Sequence, residues 1–244
     1  MSKILVYTSP ALGHLYPMAP VLTELTARGH EVVLRTKASA VPLMRELGID
    51  ADAVDPRIEG MELEDWREKN PRKALKLSVG LLAERADYES AELVPLLAEE
   101  DPDILLVDSN SWGAMAAAAA WGGPWALFCP YPLPISSRDI PPFGPGFKPA
   151  TGPLGRARDR ALRPVIFGEL SKAMSPALKD VRVAQGLEPL EHTDDLFTSA
   201  PLVLSTTAEP FEYPRSDWPA SVRMIGACAW EPPADPPEWL GGID

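Results

Sequence analysis

The chain has 244 residues, 45% of them apolar, and its 23 Lys and Arg against 35 Asp and Glu give a formal net charge of −12. That size and apolar share allow a large buried core, in one large domain or two small ones. The acidic balance excludes a nucleic-acid partner, because neutralising phosphates takes clustered Lys and Arg.

Cys129 and Cys228 are too few for a disulfide framework and read as free thiols in a reducing compartment. No basic segment followed by a long apolar run opens the chain, and the first strand begins within three residues, so the expected location is the cytoplasm. The most apolar stretch, Trp112 to Trp125, is broken by Gly122, Gly123 and Pro124. It is too short to cross a bilayer, so no stable membrane insertion is expected.

In chain order, Lys3 to Thr8 (KILVYT) reads as a short buried strand. A helix follows from Leu15 to Arg28, with apolar residues at Leu15, Met18, Ala19, Leu22 and Leu25. Glu31 to Thr36 is a second strand, Ala38 to Leu47 a helix, and Ala51 to Val54 a short strand. This alternation signals a parallel sheet. A long helical pattern spans about Lys73 to Glu99, with a break or kink expected near Gly80. Asp103 to Val107 (DILLV) is a buried strand, Trp112 to Trp121 a helix, and Trp125 to Cys129 the next strand.

The stretch from Pro130 to Pro153 holds eight prolines, too many for a helix or a central strand. A loop of that length within a domain favours a lid or binding loop over a passive linker. Helical patterning resumes from Leu154 to Val183, and strand-like runs appear at Pro201 to Ser205 and Val222 to Cys228. The expected organisation is one Rossmann-like domain over residues 1–230, an open parallel sheet with helices on both faces. Residues 231–244, rich in Pro, Gly and Asp, read as the start of a linker.

Chemistry is expected at two strand ends. His14, one of only three histidines with His30 and His192, follows the first strand, and Asp108 follows the DILLV strand. Ligands of open α/β sheets bind outside the carboxyl ends of the strands. If those strands are neighbours, the carboxylate can fix the imidazole tautomer and raise its basicity, leaving the other ring nitrogen as a general base. The competing reading makes His14 a turn residue and Asp108 a helix cap.

Gly13 permits close approach of a ligand to the backbone, and the helix N-terminus beside it could face a diphosphate. Trp112, Tyr131, Phe143 and Phe147 fall after strand ends or in the proline-rich loop, where aromatics line apolar pockets; core packing is the alternative for Trp112. SPALGHLYP after the first strand is not GxGxxG, and neither a P-loop nor a GxSxG elbow is present. No metal-ligand spacing involves either cysteine.

These residues resemble the N-terminal half of inverting, nucleotide-sugar-dependent glycosyltransferases of the GT-B fold, especially bacterial natural-product and macrolide enzymes related to plant UDP-glycosyltransferases. The likeness rests on ILVYTSPALGHLYPMAPVLTELTARGHEVVLRT with its G-H-x-x-P turn, on PDILLVDSNSWGAMAAAAAWGGPW, and on VRMIGAC, in that order across the chain. It implies that His14 deprotonates an acceptor hydroxyl, that Asp108 is its partner, and that Trp112 and the proline-rich loop build the acceptor pocket. It further implies a small hydrophobic acceptor and a UDP- or dTDP-linked sugar as co-substrate, with no metal required.

The family carries a second, donor-binding domain after the linker. The chain is therefore expected to be an acceptor domain or half of a split enzyme, nearly inactive alone because one domain does not hold the donor in attack geometry. Two alternatives remain: a non-catalytic module that binds a small molecule, and a lipid-linked cell-wall glycosyltransferase. The second expects a glycine-richer first loop and basic and apolar membrane-docking patches, which fit neither SPALGH nor the charge of −12.

Overall fold

A computed structural model of the chain describes residues 1–234 and 237. The expected linker over 231–244 thus lies largely outside the described residues. Seven parallel strands form one sheet: β1 (Lys3–Tyr7), β2 (Glu31–Thr36), β3 (Asp50–Ala53), β4 (Ile104–Asp108), β5 (Trp125–Cys129), β6 (Leu202–Ser205) and β7 (Val222–Met224). Their order across the sheet is β3-β2-β1-β4-β5-β6-β7. The chain thus builds outward from β1 in one direction, then returns to lay β4 along β1's other side. The crevice between β1 and β4 is where an open α/β sheet presents its ligand site.

The helices are α1 (Leu12–Ala27), α2 (Val41–Glu46), α3 (Pro56–Glu59), α4 (Pro71–Glu100), α5 (Trp112–Trp121), α6 (Pro153–Ala184) and α7 (Asp195–Thr198). Strand side chains alternate between two cores, as period-two geometry requires. Leu5, Tyr7, Leu105, Val107, Leu127 and Val203 pack with α4, α5 and α6. Ile4, Val6, Val32, Leu34, Leu106 and Phe128 pack with α1 and α2. Burial on both faces explains why these strands read as nearly unbroken apolar runs.

Three boundaries depart from expectation in ways that matter. α1 begins at Leu12, three residues early, although Ala11 at its N-cap makes no side-chain cap and no acid sits in its first turn. The helix start is therefore set by the strand it leaves rather than by a local signal. α4 runs unbroken through Gly80, opened by the Asn70 side chain, which accepts from the N–H groups of Arg72 and Lys73. β7 stops at Met224 instead of Cys228, because Gly226 and Cys228 take left-handed φ values of 85° and 46° that no strand continues through.

α4, at 30 residues, is about 45 Å long by helical rise. Its C-terminus hands over to the start of β4, and five-residue strands span only about 17 Å. The N-terminal half of α4 therefore stands beyond the carboxyl edge of the sheet.

Candidate active site

The topology brings His14 and Asp108 together. Asp108 ends β4 and is paired in register with Phe128, so its side chain faces the α1 side of the sheet. His14 is the third residue of α1, in its first turn, where the sequence placed it in the turn before the helix. Its Nδ1 lies 2.7 Å from Asp108 Oδ1. The imidazole is 15% exposed and the carboxylate fully buried. One side of the pair therefore still reaches solvent.

The rest of Asp108 is satisfied by backbone and hydroxyl donors. Ser9 gives Oδ2 its backbone N–H at 3.0 Å and also its hydroxyl, while the Asn110 N–H reaches Oδ1 at 3.1 Å. A buried carboxylate with several donors stays ionised. Burial opposes the charge, but His14 and these hydrogen bonds outweigh it and hold the Asp108 carboxyl below its usual range. For His14, burial likewise disfavours the cation, yet the charge and hydrogen bond of Asp108 prevail and its pKa is raised. Both shifts favour the ion pair once His14 is protonated.

On the other ring nitrogen, the Asn110 side-chain amide sits 3.2 Å from His14 Nε2. The Tyr131 hydroxyl donates to Asn110 Oδ1 at 3.1 Å, and the Tyr131 ring meets the imidazole edge-on with centroids 5.8 Å apart. With Asn110 Oδ1 accepting from Tyr131, its NH2 points at Nε2, which must then be a lone pair while Nδ1–H donates to Asp108. This is the tautomer of a base whose free nitrogen is Nε2.

The sequence does not single out Ser9 and Asn110, although each lies two residues past the end of a strand. Their signal was position alone, since neither residue type titrates.

The structure separates the other candidates. Tyr131 joins the dyad. Trp112 is 3% exposed and packs with Met115, Leu178 and Val181 in the core beneath α6, the packing role that competed with pocket lining. Phe143 and Phe147 line a different cavity of about 430 Å³ with Leu133, Ile135, Ile140 and Phe211. Phe147 also lies under the Arg158 guanidinium, 4.6 Å from its ring centroid. Gly13 is exposed on the uncapped first turn of α1, and an added Cβ there would meet nothing within 4 Å.

A cavity of about 910 Å³ is away from the dyad, between residues 62–68 and the N-terminal half of α4. Among the described residues, no group of three or more His, Cys, Asp or Glu could hold a metal ion. No helix there is long and apolar enough to cross a membrane.

No protein-family model matches the chain. The whole chain is 30% identical to 4'-demethylrebeccamycin synthase of Lentzea aerocolonigenes, covering 60% of that protein. Over 53% of its length it is 29% identical to oleandomycin glycosyltransferase of Streptomyces antibioticus, covering 29% of that protein. The chain thus spans at most about 60% of the length of these curated relatives.

Among solved structures, spinosyn rhamnosyltransferase SpnG matches with a TM-score of 0.59 at 18% identity, over 97% of this chain and 53% of that one. The glycosyltransferase VinC, solved with dTDP, matches with a TM-score of 0.55 at 21% identity, over 98% and 56%. The shared architecture is the seven-stranded parallel sheet with its flanking helices, one Rossmann-like half of a GT-B fold.

Proposed function

We propose, on the premise that this chain is a homologue of the bacterial natural-product glycosyltransferases, that it is the acceptor-binding half of an inverting enzyme of that kind. Residues 1–230 would form that half. The observation that carries the reading is the 2.7 Å contact between His14 and Asp108 at the β1/β4 crevice, with an unprotonated Nε2 that acts once an acceptor hydroxyl displaces the Asn110 amide.

In this mechanism His14 Nε2 takes the proton of an acceptor hydroxyl as its oxygen attacks the anomeric carbon of a nucleotide sugar. The C–O bond to the diphosphate breaks in the same displacement, the configuration inverts, and the nucleoside diphosphate leaves with the electron pair. Asp108 steadies the imidazolium and takes no proton itself. Three of the structural neighbours were solved with thymidine diphosphate, and another with the spinosyn aglycone. Of the two donors the resemblance implies, dTDP- or UDP-linked, those complexes favour the dTDP-linked one, with a hydrophobic acceptor, and the chemistry calls for no metal. The Gly13 turn would lie near the diphosphate, where open amides and the positive end of α1 suit an anion.

The acceptor's apolar body is assigned to the cavity holding Phe143 and Phe147, which begins at Pro132, one residue beyond Tyr131 in the chain. A partner half, supplied by further sequence or by a second protein, holds the donor; the 244 residues alone turn over little. We place the enzyme in the cytoplasm, the reducing compartment that two free cysteines suit.

The test is His14→Ala in the complete enzyme. Turnover falls about 10²- to 10⁴-fold, the usual contribution of a general base, while acceptor affinity by calorimetry is kept. Full turnover by the variant, or efficient transfer by the 244-residue chain alone, overturns the proposal. A complete wild-type protein that binds aglycones and never transfers sugar is a binding module instead.

A further inference from the structure

We propose that Glu89, a residue of α4 outside the dyad, is a positioning residue that fixes the Asp108–Ser111 turn by capping α5 from the neighbouring helix. Its functional meaning rests on the catalytic reading of His14 and Asp108; its structural content does not.

The turn is short and hydrogen-bonded. The Ser111 N–H donates to the Asp108 carbonyl at 3.0 Å, and the Asn110 N–H returns to the Asp108 carboxylate. At its upstream end, Asp108 is held by Ser9. At its downstream end α5 begins with no cap of its own: Ser111 makes no side-chain cap bond, and no acid lies in the first turn. The Ser111 hydroxyl, fully buried, has no partner among the described residues.

The missing cap comes from α4. Glu89, with no exposed surface, accepts the Gly113 N–H at 2.8 Å. One residue on, the Ser90 hydroxyl donates to the Gly113 carbonyl at 3.0 Å. Gly113 is thus gripped at both its polar groups, and its lack of a side chain is required, because a Cβ there would sit 1.9 Å from the Ala86 carbonyl oxygen. The two helix backbones are in direct contact at this point. Between the Ser9 grip on Asp108 and the Glu89 grip on Gly113 lie four residues, one of which, Asn110, reaches His14 Nε2.

A carboxyl is an expensive cap to bury. A local Ser or Asp cap would satisfy the same N–H near the surface at lower cost. What the buried group adds is a rigid link from α4 to the turn. Arg85 on α4 and Asp108 on β4 are the charged groups that face Glu89, and Tyr7 on β1 lies close by with Glu92. Burial pushes the Glu89 carboxyl up to about 8, so it caps as a neutral group at neutral pH. An amide oxygen can keep the Gly113 bond, with the amide NH2 taking the place of Oε1, which has no partner among the described residues.

The test reads His14 directly by NMR titration of the 244-residue chain, in which the three imidazoles are told apart with His14→Ala. Glu89→Gln, which keeps an acceptor for Gly113, leaves the His14 pKa as in the wild type. Glu89→Leu fills the space without an acceptor and lets the turn move, lowering the His14 pKa by on the order of one unit as the carboxylate contact loosens. If Glu89→Leu does not fold, Glu89→Asp, one methylene short of Gly113, shows the same drop in smaller degree.

Two results overturn the proposal. In one, the folded Leu or Asp variant loses thermal stability while His14 stays put, a structural role only. In the other, Gln moves His14 as far as Leu does, an effect of charge rather than of capping. Neither readout needs turnover, so an active His14→Ala enzyme would sink the catalytic reading while leaving this link intact.

Discussion

The β1/β4 rim and the proline-rich segment 130–152 stand at the same edge of the sheet and are held there by different means. At the rim, Asp108 ends β4 and His14 sits in the first turn of the helix that follows β1, and the partners there are backbone amides and short side chains. The proline-rich segment has no regular structure and is stapled by acids from outside it. Asp194 accepts the Ser136 N–H at 2.9 Å, and Asp217 accepts the Ser137 hydroxyl and the Arg138 N–H at 2.7 and 2.8 Å. Leu133 and Ile135 anchor it in the core, whereas Phe143 is 54% exposed. Its first half is fixed, so any lid motion belongs to the second half. On the proposed reading, chemistry is built into the sheet, and recognition into a strap that can vary without disturbing the sheet.

The largest expected effect breaks the rim. Asp108→Asn removes the charge that holds the His14 pKa up, leaving burial to push it down. With the neutral imidazole as base, as proposed, wild-type activity rises with pH through a midpoint above 6.5. The variant's midpoint falls below that value, and kcat drops about 10²- to 10⁴-fold; a pH–rate profile of the complete enzyme checks both. Stability carries the same signature. The raised His14 pKa stabilises fully below 6.5 and the lowered Asp108 pKa above 3.8, so the pair contributes most between those values. Urea unfolding of the variant against pH loses that maximum.

Next in size, Asp217→Ala breaks the strap. Two donors lose their acceptor, which costs about 1–3 kcal/mol in thermal unfolding. The His14 titration should not move. If it does, the two regions are one unit and the contrast fails.

Tyr131→Phe tests the seam between them, since Tyr131 begins the strap yet donates to Asn110. Loss of that bond costs about 0.5–1.5 kcal/mol and frees the Asn110 amide to rotate, seen as a change in its side-chain NMR resonances. The smallest effect on stability is that of Phe143→Ala, within about 0.5 kcal/mol for an exposed side chain. It should instead weaken acceptor binding by calorimetry with kcat unchanged.

Much of the sheet was legible because buried parallel strands announce themselves: β2, α5 and β5 have the bounds their apolar runs indicate. What escaped was decided by tertiary contact. Nothing in Ala11 or Leu12 marks a helix start, so His14 was read one turn too early. Gly80 has the composition of a break, but α4 continues through it with open space where a side chain would be. Trp112, at a strand-to-helix junction, could equally have faced a pocket or the core. Which way it turned depended on α6, more than forty residues away in sequence. His14 and Asp108 stood out as strand-end candidates, but their contact depended on β1 and β4 being neighbours, which only the assembled sheet shows. Ser9, Asn110 and Glu89 did not stand out, because their roles exist only once β1, β4, α4 and α5 are assembled.

The Asn110 amide on His14 Nε2 means that the resting chain already occupies the lone pair on which the proposed reaction depends. An arriving alcohol competes with an internal donor, trading one hydrogen bond for another and gaining little from the exchange. Affinity for the acceptor would then come from its carbon skeleton, and molecules of similar shape with or without the reactive hydroxyl would bind almost equally well. Analogues lacking that hydroxyl become natural inhibitors of such a site, and selection among true substrates shifts to the step at which Asn110 lets go.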